Sequence, residues 1–357
     1  MKILYITNAV NGPNGLERVL SIKTAFFIRN YHYEVSILVL NAGHVQPFYE
    51  FDEQIHFFSI VVKGDFLTYF KSYLNGVQKT VDFFQPDIIS VCDDGMKAFL
   101  LPVFLKTSAK LVYERHASIY LNTKQNIIGK VARWFMRKLA QKFDQFIVLT
   151  SGNSREWNNK NVVIIPNPVS FFSSAENPLN QKKVIAVGSH THNKGYDRLL
   201  SIWKKASADF RAWNLYIYGK VDDNQTYIKQ AKQMQIANVF FEEPVKHIQN
   251  VYEHSSILVL PSRTEGFGMV LIEAMASGVP CVSFNCPSGP ADIIRDGEDG
   301  FLVENNNENL FELKLKELMQ DDSKRIEMGR EARENVKRFS MHSVAKKWEH
   351  LFSTLTR

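Results

Sequence analysis

The feature that most constrains the fold of this chain is a regular alternation of short apolar runs with longer amphipathic stretches. In the first half, strands are predicted at residues 2–7, 34–40, 55–61, 88–91, 110–113, 145–150 and 162–165, and helices at 17–29, 66–84 and 127–142. Strands that alternate with helices predict a parallel sheet covered by helices on both faces.

A polar, proline-punctuated break at residues 168–182 separates this half from a second half with the same pattern. There, strands are predicted at 184–187, 215–218, 239–241, 257–260, 279–284 and 301–303, and helices at 197–208, 227–235, 248–253 and 269–276. We therefore predict an α/β protein with an N-terminal Rossmann-like domain (1–170), a linker (171–182), a C-terminal Rossmann-like domain (183–340) and a final helix (341–357). Ligands of open α/β sheets bind beyond the carboxyl ends of the strands, so a cleft between two facing domains is the expected site.

The composition supports two folded domains in a reducing compartment. Of the 357 residues, 45% are hydrophobic, which is enough for two cores. The net charge of +6 suits anionic ligands or an anionic membrane surface, and is equally compatible with ordinary surface charge. Three cysteines without a Cys-x-x-Cys pair argue against disulfides or structural zinc, and no apolar run approaches the ~20 residues of a membrane span. We predict a cytoplasmic protein, soluble or peripheral, without a nucleic acid partner.

The most informative segment is the turn at 261–268, which joins a predicted strand to a predicted helix at 269–276. The first amides of a helix have no internal partners and carry the positive end of its dipole, so this turn predicts an anion site. Gly266 and Gly268 allow a diphosphate to approach the backbone closely, and Gly278 is predicted to end the helix.

Two acids, Glu265 and Glu273, bracket this turn. If one helix carried both, their side chains would lie about 12 Å apart on one face. That exceeds the ~5–9.5 Å that separates the carboxylates of glycosidases, so these acids could instead hold the two ends of an elongated ligand. The alternative is that Glu265 stabilises the helix dipole and that Glu273 is a solvated helix residue.

Three further segments follow predicted strands and could face the same cleft. Lys194, in the loop 188–195, could neutralise a diphosphate or could be a solvated surface lysine. Gly12 and Gly15 follow the first strand without forming the Gly-x-Gly-x-x-Gly fingerprint, and His116 could bind a sugar hydroxyl or a phosphate, or serve a structural role.

A basic amphipathic stretch at 130–140 could rest on anionic lipid, although a helix packed on the core with a solvated basic face is the interpretation we favour. The chain has no His-Glu-x-x-His, no phosphate-loop motif and no nucleophile elbow, and Asp93-Asp94 is not spaced as a metal pair. We therefore predict no metal and no cofactor.

Taken together, these motifs resemble the retaining glycosyltransferases of family 4, which have the GT-B fold. Residues 265–280 look like the family's Glu–seven residues–Glu signature with the Ala-x-Gly-x-Pro run that follows it. Segments 165–169, 286–294 and 299–303 are similar to its interdomain and C-terminal patterns, so the resemblance covers nearly the whole chain.

The resemblance implies a role for each matching residue. Catalytic roles fall to Glu265 at the donor sugar, Lys194 at the diphosphate and His116 at the sugar. Donor binding falls to Gly15, Gly188, Ser189, Lys194, Gly266, Phe267, Gly268, Met269, Val270 and Glu273, with Glu273 on the ribose hydroxyls. It also implies same-face transfer without metal and a last helix that crosses back onto the N-terminal domain.

Two positions depart from the family pattern. Ser189 stands where an arginine is usual, and His190, His192 or Arg263 could replace that cation. Asn14 stands where the family usually has the first of two glycines.

The predicted function is transfer of a hexose or N-acetylhexosamine from a UDP-linked donor to a glycan or lipid-linked acceptor, with possible contact with an anionic membrane. The alternatives are a sugar-nucleotide epimerase of the same fold and a catalytically silent nucleotide-sugar binder.

Overall fold

The computed structural model describes residues 1–12, 15–41, 46–93, 95–120, 123, 126–174 and 176–357, without the side chain of Phe66. It divides into two compact units, one formed by Met1–Ser170 with Met341–Arg357 and the other by Phe171–Ser340. Pro13, Asn14, Asp94 and Ala175, which bear on the predicted glycine loop, the acidic pair and the linker, lie outside the described residues.

The N-terminal unit is built on a parallel sheet of seven strands in its described part. They are β1 (Lys2–Ile6), β2 (Glu34–Leu40), β3 (His56–Ile60), β4 (Ile88–Val91), β5 (Lys110–Arg115), β6 (Gln145–Val148) and β7 (Val162–Ile164). Their order across the sheet is β3-β2-β1-β4-β5-β6-β7, and each neighbouring pair is parallel.

Helices cover both faces of this sheet. They are α1 (Gly15–Tyr31), α2 (Phe66–Phe84), α3 (Met96–Phe99), α4 (Leu101–Phe104), α5 (Ile127–Ala140), α6 (Ser151–Trp157) and the last helix of the chain, α14 (Met341–Leu355). Ile3 and Tyr5 of β1 lie in a core with α1 and α14, whereas Leu4 and Ile6 lie in a core with α2, α5 and α6. Because successive side chains of a strand point to opposite faces, an unbroken apolar run such as β1 requires cover on both sides.

The C-terminal unit repeats this architecture with a six-stranded parallel sheet. Its strands are β8 (Lys183–Val187), β9 (Asn214–Tyr218), β10 (Val239–Glu242), β11 (Ile257–Leu260), β12 (Cys281–Asn285) and β13 (Gly300–Glu304), in the order β10-β9-β8-β11-β12-β13. Its helices are α7 (Tyr196–Asp209), α8 (Thr226–Gln233), α9 (Ile248–Glu253), α10 (Met269–Ala276), α11 (Pro290–Ile293), α12 (Glu308–Gln320) and α13 (Asp322–Asn335), with 3₁₀ turns at His192–Lys194 and Val336–Phe339.

Residues 171–182, predicted as a linker, belong to the C-terminal unit and pack on it. The Asn177 amide donates to the carbonyl oxygens of Tyr252 and Ser255, and Leu179 is 1% exposed. Arg325 on α13 donates to the Leu179 carbonyl at 3.0 Å. The polar groups of this segment therefore form hydrogen bonds with the C-terminal unit, and the segment is not a solvated linker.

The predicted strands and long helices are present, with ends shifted by one or two residues. The short helices α3, α4, α6 and α11 were not predicted. The strand predicted at 145–150 ends early because the Thr150 hydroxyl accepts from the Asn153 amide and caps α6. None of the helices in the described ranges combines the length and apolar character needed to cross a lipid bilayer.

Candidate functional site

The first part of the candidate site is the turn between β11 and α10. Helix α10 begins at Met269, after Gly268 at φ +103°, and no side chain caps it. Uncapped first-turn amides with the positive helix dipole form an anion-binding site. Gly278, at φ +70°, donates to the Met275 carbonyl, which confirms that a glycine ends this helix.

The turn is fixed from the side by the loop that precedes α11. A Cβ atom on Gly289 would lie 2.0 Å from the carbonyl oxygen of Phe267, so only a glycine permits this approach. Gly268 itself faces the side chains of Leu271 and Ile293. The segment 286–294 therefore shapes the turn through this backbone contact.

The second part is Lys194, in the loop that follows β8. Its Nζ lies 2.7 Å from Oε1 of Glu265, and the two side chains are 22% and 11% exposed. Gly188, at φ +151°, leaves room for the lysine, because a Cβ there would lie 2.9 Å from Cε of Lys194. The structure thus joins two residues that are 71 positions apart in the sequence.

Several contacts hold the Lys194 loop against the turn. The Arg263 amide donates to the Asn193 carbonyl, and the Asn193 amide group donates to the carbonyl of Thr264. A Cβ on Gly195 would lie 2.1 Å from the carbonyl oxygen of Pro261. The backbones therefore touch at Gly195, which sets the position of Lys194 relative to the turn.

Arg198 on α7 is a positioning residue that the sequence did not reveal. It is 4% exposed and donates to the carbonyl oxygens of Pro261 at 2.6 Å and Ser262 at 2.5 Å. Its guanidinium also lies 3.9 Å from the ring centroid of Phe284. Burial lowers the pKa of Arg198 to about 10, so the side chain stays charged near neutral pH. No motif marks this residue, because the groups that it positions in the turn are backbone oxygens distant in the sequence.

Glu273 differs from the expectation of a solvated helix residue. It is 2% exposed, and the Tyr252 hydroxyl lies 3.2 Å from its Oε2. The structure confirms the helix predicted at 269–276, so Glu265 lies in the turn before α10 and does not share a helix with Glu273. A buried carboxylate requires polar partners, so solvation by surface water does not account for the position of Glu273.

Ser189 is exposed, and two of its three candidate replacements do not offer a free cation. Arg263 is paired with Asp197 through contacts of 2.9 and 2.6 Å and also donates to the carbonyl of His192. His190 is 4% exposed, and burial lowers its pKa, which favours the neutral ring. Lys194 is thus the cation that the described residues place beside Glu265.

The remaining predicted residues lie in the N-terminal unit. Gly15 is the exposed first residue of α1. His116 follows β5, with its side chain 11% exposed and its Nε2 3.5 Å from Oε2 of Glu114. The structure therefore places the His116 ring beside the Glu114 carboxylate.

Glu114 belongs to a buried polar cluster that was not predicted. Lys23 on α1 lies 2.7 and 2.6 Å from its two carboxylate oxygens, and the Ser90 hydroxyl donates to it at 2.6 Å. Lys23 and Glu114 are 1% and 2% exposed, and the ammonium lies 4.4 Å from the ring centroid of Trp348 and 4.8 Å from that of Tyr5.

The charges of this cluster balance within it. Burial alone would raise the pKa of Glu114, but Lys23 and His116 hold it down to about 2, so the carboxylate is charged. Ligand atoms of Cys92, Glu114 and His116 lie within 4.8 Å of one another, a spacing that could hold a metal ion. The Lys23 ammonium already contacts both Glu114 oxygens, and burial raises the pKa of the Cys92 thiol, so this arrangement favours an internal ion pair.

Replacement of Gly195 by alanine is expected to destabilise the C-terminal unit more than replacement of Gly297. Both glycines have positive φ, +69° and +78°, and an alanine at either position bears a cost of about 1–2 kcal/mol. Gly297→Ala meets no atom within 4 Å, whereas Gly195→Ala also forces the Pro261 carbonyl to move. Denaturant unfolding of both variants measures the difference, and equal losses would show that the loop and turn are not tightly apposed.

Comparisons with known proteins show that this chain is similar to glycosyltransferases. Residues 170–335 match the family model described as Glycosyl transferases group 1. The chain is 28% identical to the amylovoran biosynthesis glycosyltransferase AmsD of Erwinia amylovora, over 99% of each chain. It is 26% identical to the lipopolysaccharide 1,6-galactosyltransferase of Escherichia coli, over 85% of each chain.

The fold is likewise similar to that of a solved structure, Anabaena HepE in complex with UDP. The TM-score is 0.80 at 16% identity, covering 99% of this chain and 100% of the other. The two Rossmann-like units of this chain therefore have the GT-B fold, as predicted. The matched family model and the two relatives support a glycosyltransferase.

Proposed function

We propose that this chain, whose C-terminal unit matches the group 1 glycosyl transferases, is a retaining glycosyltransferase of family 4 that takes its sugar from a UDP-linked donor. It transfers a hexose or N-acetylhexosamine to a hydroxyl of a glycan or lipid-linked acceptor, in surface polysaccharide synthesis on the cytoplasmic side of the membrane. The names of the two relatives support the polysaccharide or lipopolysaccharide pathway, and the UDP complex of HepE supports the donor base.

The Lys194–Glu265 ion pair beside the uncapped start of α10 is the observation that carries this proposal. A donor diphosphate would accept hydrogen bonds from the Met269 and Val270 amides and take the Lys194 ammonium as counter-ion. Glu265, released from Lys194, could then accept from a sugar hydroxyl. When the bond from the sugar to the diphosphate breaks, negative charge grows on the diphosphate, where the helix start and Lys194 stabilise it.

Glu273 is proposed to bind the two ribose hydroxyls of the donor. Its carboxylate is buried and oriented by the Tyr252 hydroxyl, so it can accept from a ligand without first losing water. Gly266, Phe267 and Gly268 would supply the close backbone surface between the sugar and the ribose.

The remaining assignments follow the family resemblance. His116 and Gly15 are proposed to contact the sugar and phosphates, and no metal is proposed to take part. The relatives reported above are named as glycosyltransferases, which favours transfer over the epimerase alternative.

The test is donor turnover in EDTA with a panel of UDP-, GDP- and other nucleotide-sugars, with glycan and lipid-linked acceptors. We expect release of nucleotide from a UDP-sugar, and a loss of about 10–100-fold in donor affinity in Glu273→Gln, since a hydrogen bond to a charged group contributes ~1.5–3 kcal/mol. Glu327→Gln, at an exposed position of α13, is the matched control. Failure of every nucleotide-sugar to bind in calorimetry would overturn the proposal.

A further inference from the structure

Helix α5 presents its apolar side chains to solvent. Its inner face carries Gly129, Arg133, Met136, Leu139 and Ala140, which are buried. Its outer face carries large apolar residues with high exposure, namely Ile127 (78%), Ile128 (75%), Val131 (60%), Trp134 (59%) and Phe135 (42%). These five residues are called the α5 stripe. The helix expected to pack its apolar face on the core therefore has much of that face turned outward.

The stripe is continuous along the helix. Positions 127 and 128, 131, and 134 and 135 follow one another at intervals of three and four residues, so their side chains adjoin on one face over about 12 Å. Single exposed apolar residues are ordinary, but a contiguous group of this kind marks an interaction surface.

Polar contacts on the inner face fix the helix in this orientation. Arg133 is 8% exposed, donates to the Thr123 hydroxyl at 2.9 Å and lies 5.0 Å from the ring centroid of Tyr120. Arg137 donates to the carbonyl of Glu156 at 2.7 Å. Turning the stripe inward would bury its apolar area but would break these contacts and expose Met136.

The segment of sequence that carries the stripe has charges of one sign. The sequence between Glu114 and Asp144 contains seven lysine and arginine residues and no aspartate or glutamate. Lys130 and Lys138 are exposed on α5, the first beside the middle of the stripe and the second just beyond its C-terminal end. Apolar side chains with flanking cations complement a surface whose headgroups are anionic and whose interior is apolar.

We propose that the α5 stripe docks this chain on an anionic lipid bilayer. The helix lies in the plane of the interface, with Ile127, Val131 and Trp134 inserted at the level where headgroups meet acyl chains. Lys130 and Lys138 extend to the lipid phosphates, which their long side chains can reach while the helix is inserted. Five side chains give reversible binding, so the anchor depends on both the apolar and the charged contribution. This surface does not depend on which donor the chain uses.

Co-sedimentation of the full chain with lipid vesicles tests the proposal. We expect binding to vesicles of phosphatidylglycerol mixed with phosphatidylcholine, and much weaker binding to phosphatidylcholine alone. Val131→Gln/Trp134→Gln is expected to lose binding to both. Lys130→Gln/Lys138→Gln is expected to lose about thirtyfold in affinity for the anionic vesicles, since each lysine near such a surface contributes about 1 kcal/mol, and little for the neutral ones.

The control is Leu313→Gln on α12, which removes a side chain that is 62% exposed in the other unit and should bind as wild type does. All substituted side chains are exposed, so folding, checked by circular dichroism, is expected to be unchanged. Absence of wild-type binding to anionic vesicles, or full binding by Val131→Gln/Trp134→Gln, would overturn the proposal. A third outcome would also overturn it: the wild type forms a dimer and does not bind vesicles, and Val131→Gln/Trp134→Gln is monomeric. The stripe would then be an interface between two copies of the chain.

Discussion

Replacement of Lys194 by methionine is expected to lower donor turnover by about 10²–10³-fold, the loss seen when one donor to a developing oxyanion is removed. Lys194 is the cation that the described residues place beside Glu265, and Ser189 supplies no charge. Methionine keeps the length of the side chain and its packing against Gly188 but removes the ammonium. The measurement is the rate of nucleotide release with acceptor present, compared with the wild type.

Two further variants separate the chemistry from the fold. Lys204→Met removes an exposed lysine on α7 and is expected to leave turnover unchanged. Lys194→Met/Glu265→Gln removes both charges of the ion pair. Any part of the loss of turnover in Lys194→Met that comes from an unpaired Glu265 carboxylate is therefore absent in the double variant. Because Glu265 is assigned to the sugar, the double variant is expected to be no faster than Lys194→Met. Turnover within a few-fold of wild type in Lys194→Met would contradict the assigned role.

Some parts of the candidate site were predictable because each of them is formed by consecutive residues. An apolar strand, a turn with two glycines and a helix predict the candidate anion site at 261–276 without reference to the rest of the chain. The glycine that ends α10 and the parallel sheets predicted from the alternation of strands and helices are of the same kind. In these segments, the local order of apolar residues and glycines is enough to specify the backbone conformation.

The parts that were missed depend on contacts between distant segments. Arg198 donates to carbonyl oxygens 63 and 64 positions away. Because every residue has a backbone carbonyl, the sequence does not show which of them accepts a hydrogen bond. The Lys194–Glu265 contact was not predicted either, because the two residues are 71 positions apart in the sequence. The exposed apolar side of α5 was not predicted either, because part-buried hydrogen bonds of Arg133 and Arg137 hold the opposite side of the helix against the unit.

The second large effect is expected at Lys23, in the N-terminal unit. Lys23→Met should lower the free energy of unfolding by about 3–5 kcal/mol, since it leaves a buried carboxylate without its partner. Lys23→Met/Glu114→Gln removes the stranded charge and is expected to recover part of the loss. Lys2→Met is the matched control, because its partner Glu34 is 3.3 Å away on the surface and exposed pairs contribute little. Urea unfolding at neutral pH measures all three.

The same ion pair predicts a pH dependence with a definite sign. The pKa of Glu114 is lowered from 4.5 to about 2, so the unfolded chain binds the proton more readily than the folded one. The stabilisation from the pair is therefore complete above pH 4.5 and is lost as the pH falls from there towards 2. Wild type should lose stability over that interval more steeply than Lys23→Met/Glu114→Gln, which has no carboxylate at position 114 to protonate. Parallel losses in the two proteins would show that other carboxylates govern acid unfolding, and that the Lys23–Glu114 pair is not what holds α1 to β5.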